Sequence, residues 1–268
     1  MIVDSRWRKL GWRHPLWDYV RFYTSFRKRT KLREQWLAKL KDSVFEVEPG
    51  MNLVIPPADM RLFLAYLDER ETKFQEVFTQ LRTKQEALVY CENLKYEVAM
   101  TTTKLEGWTD SPKAMVSAVT NIAKLVCLEK SIECVPNPQR RCVWFKENDL
   151  HVSARNLDGA IPTLSRPKIV WEIKEYWGGG EGKDGGSKMS DAVYECNLVG
   201  RELREFEDRS GQMHVEHIVF LDGKSRWGAR DSDLKRMIDL FHQGIIDYLF
   251  IGREVETEWH PTLSSLLN

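Results

Sequence analysis

The sequence predicts an α/β fold in which helices flank a mixed central sheet, preceded by an N-terminal helical region. Two observations carry this prediction. Residues 1–105 contain long stretches whose apolar positions follow helical spacing. Residues 106–268 alternate between helix-like and short strand-like segments in the order α-β-β-β-α-β-α-β. Such alternation is typical of a sheet that is covered by helices on both faces. We therefore expect two regions with a boundary near residue 105.

The N-terminal region begins with a basic arm. Residues 1–42 hold twelve Lys and Arg against four Asp and Glu, in a chain whose formal net charge is zero. Tryptophans alternate with arginines here, which suits an element that follows a phosphate backbone and equally suits an amphipathic helix from Pro15 to about Lys41. In the first case Arg27 and Arg29 are candidate phosphate contacts. The region is expected to bind DNA or to mediate dimerisation.

Two further elements are predicted before residue 105. The Pro49-Gly50 pair interrupts the helical pattern and indicates a linker or a short extended piece. From Asp59 to about Asn93 the apolar residues trace one face, which predicts a single long helix.

The second region shows a clear order of elements. Ser111-Pro112 is a typical helix start, and the apolar spacing after it predicts a helix of about four turns. Short strands are expected within residues 132–161, followed by a strand in "KIVWEIKEYW" and a glycine-rich loop. The remaining predicted elements are a helix over 190–208, a strand in "HVEHIVFLD", a helix in "DSDLKRMIDLFHQG" and a strand in "IIDYLFIG".

The composition bounds the class of protein. Hydrophobic residues make up 42% and charged residues 30% of the chain, which is ordinary for a soluble globular protein. No apolar run approaches the ~20 residues of a membrane span, and the N-terminus lacks the apolar core of a signal peptide. The five cysteines form no Cys-x-x-Cys pair, so reduced thiols are expected and a zinc site is not. These features predict a cytoplasmic protein without a membrane partner.

Two charged residues inside the predicted strand Ile169–Lys174 are the main functional signal. Residues two apart in a strand share a face, so Glu172 and Lys174 are expected to point the same way. An edge strand with a polar outer face would explain them. Asp158, however, stands fourteen positions before Glu172 at the end of a preceding strand, and a hairpin would bring the two carboxylates together. Two converging carboxylates suit a hard cation such as Mg²⁺.

At these residues the sequence resembles the PD-(D/E)XK nuclease superfamily, with Asp158 as its first acid and Glu172-x-Lys174 as its second motif. The resemblance implies a restriction-endonuclease-like core over residues 106–268. It also implies a Mg²⁺ held by Asp158, Glu172 and the carbonyl of Ile173, with Lys174 positioning the attacking water. Family members commonly place another acid on the first core helix, where Glu129 is the candidate.

The resemblance further implies an endonuclease that hydrolyses double-stranded DNA, works as a homodimer and serves restriction or phage defence. The alternatives are a non-catalytic DNA-binding or assembly protein and a nuclease for structured nucleic acid, including RNA. Basic residues near the proposed cleft are candidate nucleic-acid contacts, namely Lys183, Lys188, Arg226 and Arg230.

Two other sequence patterns could indicate a binding site of a different kind. Gly180–Gly185 matches Gly-x-Gly-x-x-Gly, the dinucleotide-binding fingerprint, but four residues separate it from the strand, which the fingerprint glycine normally follows directly. His214 and His217 are three apart in a predicted strand and should face opposite sides, so they form a poor metal pair and are expected to be structural.

Overall fold

The computed structural model describes residues 5–25, 43–101, 111–177, 186–211 and 214–268. The helices within them are α1 (Ser5–Leu10), α2 (Leu16–Ser25), α3 (Pro57–Gln80), α4 (Lys84–Asn93), α5 (Ala114–Glu129), α6 (Gly186–Ser210), α7 (Lys224–Gly228), α8 (Asp231–His242), α9 (Glu254–Thr257) and α10 (Trp259–Leu266). The strands are β1 (Val44–Glu48), β2 (Met51–Val54), β3 (Met100–Thr101), β4 (Ser111–Pro112), β5 (Val135–Pro136), β6 (Val143–Lys146), β7 (Asp149–Val152), β8 (Gly159–Ile161), β9 (Ile169–Glu175), β10 (Glu216–Asp222) and β11 (Tyr248–Ile251).

A mixed sheet of five strands forms the centre of the molecule, in the order β11-β10-β9-β8-β5. Strands β9, β10 and β11 run parallel, whereas β8 is antiparallel to β9 and β5 is antiparallel to β8. Helices pack on both faces, so the prediction of a mixed α/β fold with flanking helices is confirmed. The strand that carries Glu172 and Lys174 is the middle strand of the sheet.

Alternate residues of β9 enter two different cores. Ile169 and Trp171 are buried in a cluster with apolar residues of α5 and α10. Val170 packs on the opposite face with Val199 and Leu203 of α6. This alternation is what the period of two predicts for a strand with helices on both sides. Ile169 and Trp171 thus anchor the strand on the side opposite to Glu172 and Lys174.

The long helix expected from Asp59 to Asn93 is wrong in one respect, because the chain breaks it into α3 and α4. Leu81 adopts an extended conformation after α3. Thr83 then caps α4 in a reciprocal arrangement with Glu86, the capping box, which starts a new helix. Between them lies Arg82, only 1% exposed, whose guanidinium is 2.7 Å from Asp222 at the end of β10. The break therefore joins the N-terminal helices to the carboxyl end of β10.

Aromatic residues attach the N-terminal helices to α3. Trp7, Trp17 and Tyr23 are buried with Phe63 and Tyr66 of α3 in a separate core cluster. For residues 5–25, this packing agrees with the amphipathic-helix alternative. Arg27 and Arg29 lie outside the described residues, as does the continuation of the expected helix beyond α2. The expected linker contains the β1–β2 hairpin, which turns at Pro49-Gly50, where Gly50 has φ of 81°.

Several boundaries differ from the sequence predictions. Helix α5 begins at Ala114, because Ser111-Pro112 pairs with Met100-Thr101 in a short two-stranded ladder. Helices α7, α9 and α10 were not predicted. Trp259 of α10 fills the core by packing edge-on against Phe220. Among the described helices, none combines the length and apolar character needed to cross a membrane. All five cysteines are free thiols.

Candidate active site at the carboxyl end of the central strand

Asp158 reaches β9 because the next residue has no side chain. A Cβ on Gly159 would lie 1.8 Å from the ring of Trp171, so only glycine allows β8 to approach at this point. The amide of Asp158 donates to the carbonyl of Trp171 at 3.0 Å. Its carboxylate oxygen Oδ2 accepts from the amide of Ile173 at 2.7 Å. The first motif residue is therefore bonded to the strand that carries the second motif.

Glu172 and Lys174 form a buried ion pair on the α6 side of β9. Lys174 Nζ lies 2.5 Å from Glu172 Oε2, and the two residues are 4% and 1% exposed. The alternative of an edge strand with a solvated outer face is therefore wrong, because β9 is central and both side chains are covered. A buried pair of this kind requires compensation, since isolated charges are costly to remove from water.

Two further residues, Arg155 and Glu195, extend the pair toward solvent. Glu195 of α6 accepts from Lys174 Nζ at 2.7 Å and is also in contact with the guanidinium of Arg155. Arg155 Nη1 in turn lies 3.5 Å from Glu172 Oε2. Neither residue was predicted. In the sequence, Glu195 stands next to Cys196, which is buried in α6, so it could have been recognised as an acid at the edge of the apolar face of that helix. No comparable sequence pattern marks Arg155.

The electrostatics differ between the two acids of the motif. Burial opposes ionisation of Glu172, but Lys174, His217 and Arg155 together hold the pKa of Glu172 below its ordinary value. Burial lowers the pKa of Lys174, but the attraction and hydrogen bonding of Glu172, together with attraction to Cys196, leave that pKa above its ordinary value. Burial raises the pKa of Asp158, despite the opposing effects of the Ile173 amide and Lys174. The charge of Asp158 is thus the less compensated of the two.

His217 lies behind Glu172 in the interior. Its Nε2 is 4.0 Å from Glu172 Oε1, and its Nδ1 is 3.1 Å from the carbonyl oxygen of Ile245. Burial lowers the pKa of His217, which favours the neutral imidazole. An Nδ1–H that donates to Ile245 leaves Nε2 as an acceptor facing the carboxylate. His217 is therefore part of the surroundings of Glu172, and it is not paired with His214.

The residues expected to hold a cation offer suitable ligand atoms, although Glu172 is only 1% exposed and does not line the cleft itself. Asp158 and Ile173 line an open cleft of about 310 Å³ at the carboxyl end of β9. Both carboxylate oxygens of Glu172 are buried without a hydrogen-bond donor among the described residues, the Lys174 contact being an ion pair without hydrogen-bond geometry. Carboxylate and carbonyl oxygens are the ligands that Mg²⁺ prefers. Three carboxylates, including Glu195, face two cations here, which leaves negative charge for a divalent ion.

Glu175 is a second acid of the cleft that the sequence did not indicate. Its Oε2 accepts from the amide of Met115 at the start of α5 and from Trp177 Nε1, at 2.9 and 3.1 Å. Burial raises its pKa to about 7, partly offset by Lys113, whose Nζ lies 3.7 Å from Oε1. The amino end of α5 is thereby fixed next to the cleft.

The structure does not bring Glu129 to the cleft, and the sequence-based assignment is corrected on this point. Glu129 is the last residue of α5, whose first turn is the part bonded to Glu175. A helix of 16 residues spans about 24 Å at the usual rise. Its carboxylate lies instead 3.6 Å from His260 Nε2 of α10. Spacing in the sequence could place an acid on this helix but not at the correct end.

Of the residues predicted near the cleft to contact nucleic acid, the structure describes the side chains of Arg226 and Arg230. Arg230 is the N-cap residue of α8, and its guanidinium donates hydrogen bonds to Asp233 and Ser190 at 3.0 and 2.9 Å. Arg226 lies half-buried in α7. Lys183, like the glycine-rich fingerprint, falls outside the described residues. Lys188 belongs to α6, but its side chain is not among those described.

A second cluster resembles a metal site by proximity alone. Ligand atoms of His214, Glu216 and Asp247 lie within 4.8 Å of one another. Arg204, however, is 3.0 Å from His214 Nδ1 and 3.3 Å from Asp247. Hydrogen bonds to Asp247 and neighbouring acids raise the pKa of His214 to about 11, which favours the imidazolium over the neutral ring that a metal would need. Arg8 of α1 adds a third cation at 3.0 Å from Asp247. The cluster is therefore an ion-pair network.

Comparison with known proteins gives a family without an assigned activity. No curated protein and no solved structure matches the chain. Residues 68–266, about three quarters of the sequence, match the family described as a domain of unknown function, DUF7687. The match begins within α3 and includes β9, the ion pair and the cleft. The chain belongs to the DUF7687 family.

Proposed function

We propose that this chain is a Mg²⁺-dependent nuclease of the PD-(D/E)XK kind that hydrolyses phosphodiester bonds of double-stranded DNA. One observation carries the proposal. The 2.7 Å hydrogen bond from the Ile173 amide to Asp158 Oδ2 joins an acid fourteen positions upstream to the Glu-x-Lys segment. Together with the buried Glu172–Lys174 pair on the central strand, this bond supports the proposal.

The order of elements gives further support. Helix α5 is followed by β5, β8 and β9, then by α6 and β10, with the β6–β7 hairpin inserted before β8. This is the α-β-β-β-α-β order that the resemblance implies for a restriction-endonuclease-like core. The antiparallel β8–β9 pair and the parallel β9–β10 pair place the two motif segments on neighbouring strands.

Each motif residue has a chemical role in this proposal. Asp158, Glu172 and the carbonyl of Ile173 would hold the cation. When bound, Mg²⁺ lowers the pKa of a water and polarises the phosphoryl oxygen. The raised pKa of Lys174 keeps it an ammonium, so it acts as a hydrogen-bond donor and charge stabiliser and not as a base. It can orient the attacking water and oppose the charge that develops on the phosphate.

The finer parts of the proposal rest on the resemblance alone. These are action as a homodimer, with each site cutting one strand, and a role in sequence-specific restriction or phage defence. The cleft itself is compatible with any phosphodiester. Substrate tests should therefore include structured RNA and single-stranded DNA alongside duplex DNA.

The test compares four proteins on a panel of nucleic acids with Mg²⁺ or with a chelator. They are the wild type, Asp158→Ala, Lys174→Ala and, as a matched control distant from the cleft, Glu129→Ala. We expect cation-dependent cleavage by the wild type and by Glu129→Ala, and none by the other two. Cleavage that survives Asp158→Ala or Lys174→Ala contradicts the site. Binding of duplex DNA without cleavage by any variant would favour the non-catalytic alternative.

A further inference from the structure

We propose that Lys174 and Arg155 form a binding subsite for one phosphate group, and that Glu195 occupies this subsite in the free protein. Glu195 would then act as an internal substitute for the anion and leave when a phosphate enters. The identification of that phosphate as part of a nucleic acid rests on the proposed function. The subsite itself does not, because it follows from the arrangement of charges.

The geometry is that of an anion held by two cations. Lys174 comes from the central strand, Arg155 from the segment between β7 and β8, and Glu195 from α6. Both cations contact the same oxygen, Oε2 of Glu195, and the Lys174 contact is 2.7 Å long. A cation pair from separate elements that converges on one oxyanion is a typical arrangement for phosphate recognition.

The two carboxylates that contact these cations, Glu172 and Glu195, differ in how readily they can move away. Glu172 is 1% exposed on the middle strand, so it cannot move away from Lys174. The side chain of Glu195 is 41% exposed on a helix surface and can rotate into solvent. Without Glu195, Lys174 and Arg155 would each lose their contact with an exposed carboxylate, while Glu172 would remain, with its Oε2 3.5 Å from Arg155 Nη1. The position that Glu195 leaves beside the two cations is then open to a phosphate, whose negative charge replaces that of Glu195.

The subsite opens onto the same cleft as Asp158. Arg155, Lys174 and Glu195 line that cleft together with Asp158 and Asp191. A phosphate bound by the two cations would therefore lie beside the carboxylate expected to hold the divalent ion. Asp191 makes no hydrogen bond or ion pair with Lys174 or Arg155 among the described residues. It thus offers a control that removes the same charge from the same cleft.

The experiment measures binding of inorganic phosphate by calorimetry and by ³¹P NMR, in the presence of a chelator. The proteins are the wild type, Glu195→Gln, Asp191→Asn and the double variant Arg155→Ala/Glu195→Gln. We expect Glu195→Gln to bind phosphate about tenfold or more tightly than the wild type, because a charge-assisted competitor is gone. Asp191→Asn should stay within about threefold, and the double variant should lose the gain.

Three results would overturn the subsite. Equal tightening in Glu195→Gln and Asp191→Asn would show a general charge effect, and no tightening in Glu195→Gln would show that Glu195 occupies no anion site. A gain that persists in the double variant would exclude Arg155. Glu195→Ser serves as a second substitution that cannot mimic the carboxylate, and thermal unfolding verifies that each variant is folded.

The outcome is separable from that of the nuclease assay. Phosphate is measured without Mg²⁺ and without turnover, so tighter binding by Glu195→Gln in a protein that cuts nothing would retain the subsite and remove the nuclease proposal. Cation-dependent cleavage combined with unchanged phosphate binding would retain the nuclease and remove the subsite.

Discussion

The carboxylate of Asp158 accepts a hydrogen bond from the backbone amide of Ile173 at 2.7 Å, although the two residues are fifteen positions apart. The amide of Asp158 donates back to β9 through the carbonyl of Trp171 at 3.0 Å. Asp158 is thus held at two points by the strand that carries Glu172 and Lys174. Its position depends on the β8–β9 register and not on the conformation of a surface loop.

Gly159→Ala should disrupt this arrangement. The added Cβ would meet the Trp171 ring at 1.8 Å, a distance that neither the ring nor the strand can accommodate without moving. We expect a loss of about 1–3 kcal/mol or more in unfolding free energy, as for other overpacked sites. Chemical denaturation gives that value, and the cation-dependent cleavage assay should show a parallel loss. Unchanged stability would mean that β8 does not approach Trp171 this closely.

Glu172→Gln should reduce cleavage much more than the same substitution at an acid distant from the cleft. The substitution removes a proposed cation ligand and the nearest counter-charge of Lys174, at 2.5 Å. We expect cleavage to fall by about 10²-fold or more, the scale of a lost electrostatic group in an active site. Glu129→Gln, at the distant end of α5, should retain activity within about threefold and provides the charge-matched control. Equal losses in both variants would argue against the assignment.

Asp222→Asn should be strongly destabilising. Asp222 is fully buried and accepts from the amide of Arg82 and from its Nε, at 2.9 and 2.7 Å. Breaking a buried pair costs about 3–5 kcal/mol when the other charge loses its last partner. Arg82 would keep the partly exposed Glu256, at 2.7 Å, so we expect a loss toward the lower end of that range. Asp208→Asn removes the same charge from an exposed pair with Arg13, so it should change stability by no more than about 1 kcal/mol. Urea unfolding of both variants measures the difference.

The ion-pair network around Asp247 should make stability depend on alkaline pH. Hydrogen bonds to Asp247 and other acids raise the folded pKa of His214 from 6.5 to about 11. A cationic group with a raised folded pKa contributes its full stabilisation below 6.5 and loses it as pH rises toward 11. The urea midpoint of the wild type should fall over this interval, and the contribution should be absent in His214→Asn. Identical pH profiles for the two proteins would contradict the network.

The sequence allowed the strand that carries Glu172 and Lys174, and the proximity of Asp158 to it, to be predicted for clear physical reasons. The alternation in Ile169–Lys174 fixed which residues enter the core, and the turn between the strands brought Asp158 beside them. These are short-range patterns, which one sequence contains in full. The same reasoning failed for Glu129, because helical spacing gives the face of a residue but not which end of the helix meets the sheet.

Other features depend on contacts between distant segments. The break between α3 and α4 is set partly by Arg82, whose partner Asp222 is 140 positions away. Arg155 enters the site through its contacts with Glu195 of α6 and with Glu172, and no local pattern marks Arg155. The three helices missed near the C-terminus are short, and the strongest clue to α10 is Trp259, a residue equally compatible with a loop.

The buried contact of Arg82 also determines how the chain can be divided. A fragment that starts at the predicted boundary near residue 105 would keep Asp158, Glu172 and Lys174 but would lose Arg82 and Arg70. Asp222 and Asp239, the latter bonded to Arg70 at 2.6 Å, would then be interior charges without a counter-ion. The shortest piece expected to fold begins with α3, close to where the family match starts at residue 68. For expression, the helical segment before the sheet is part of the folding unit and not a removable appendage.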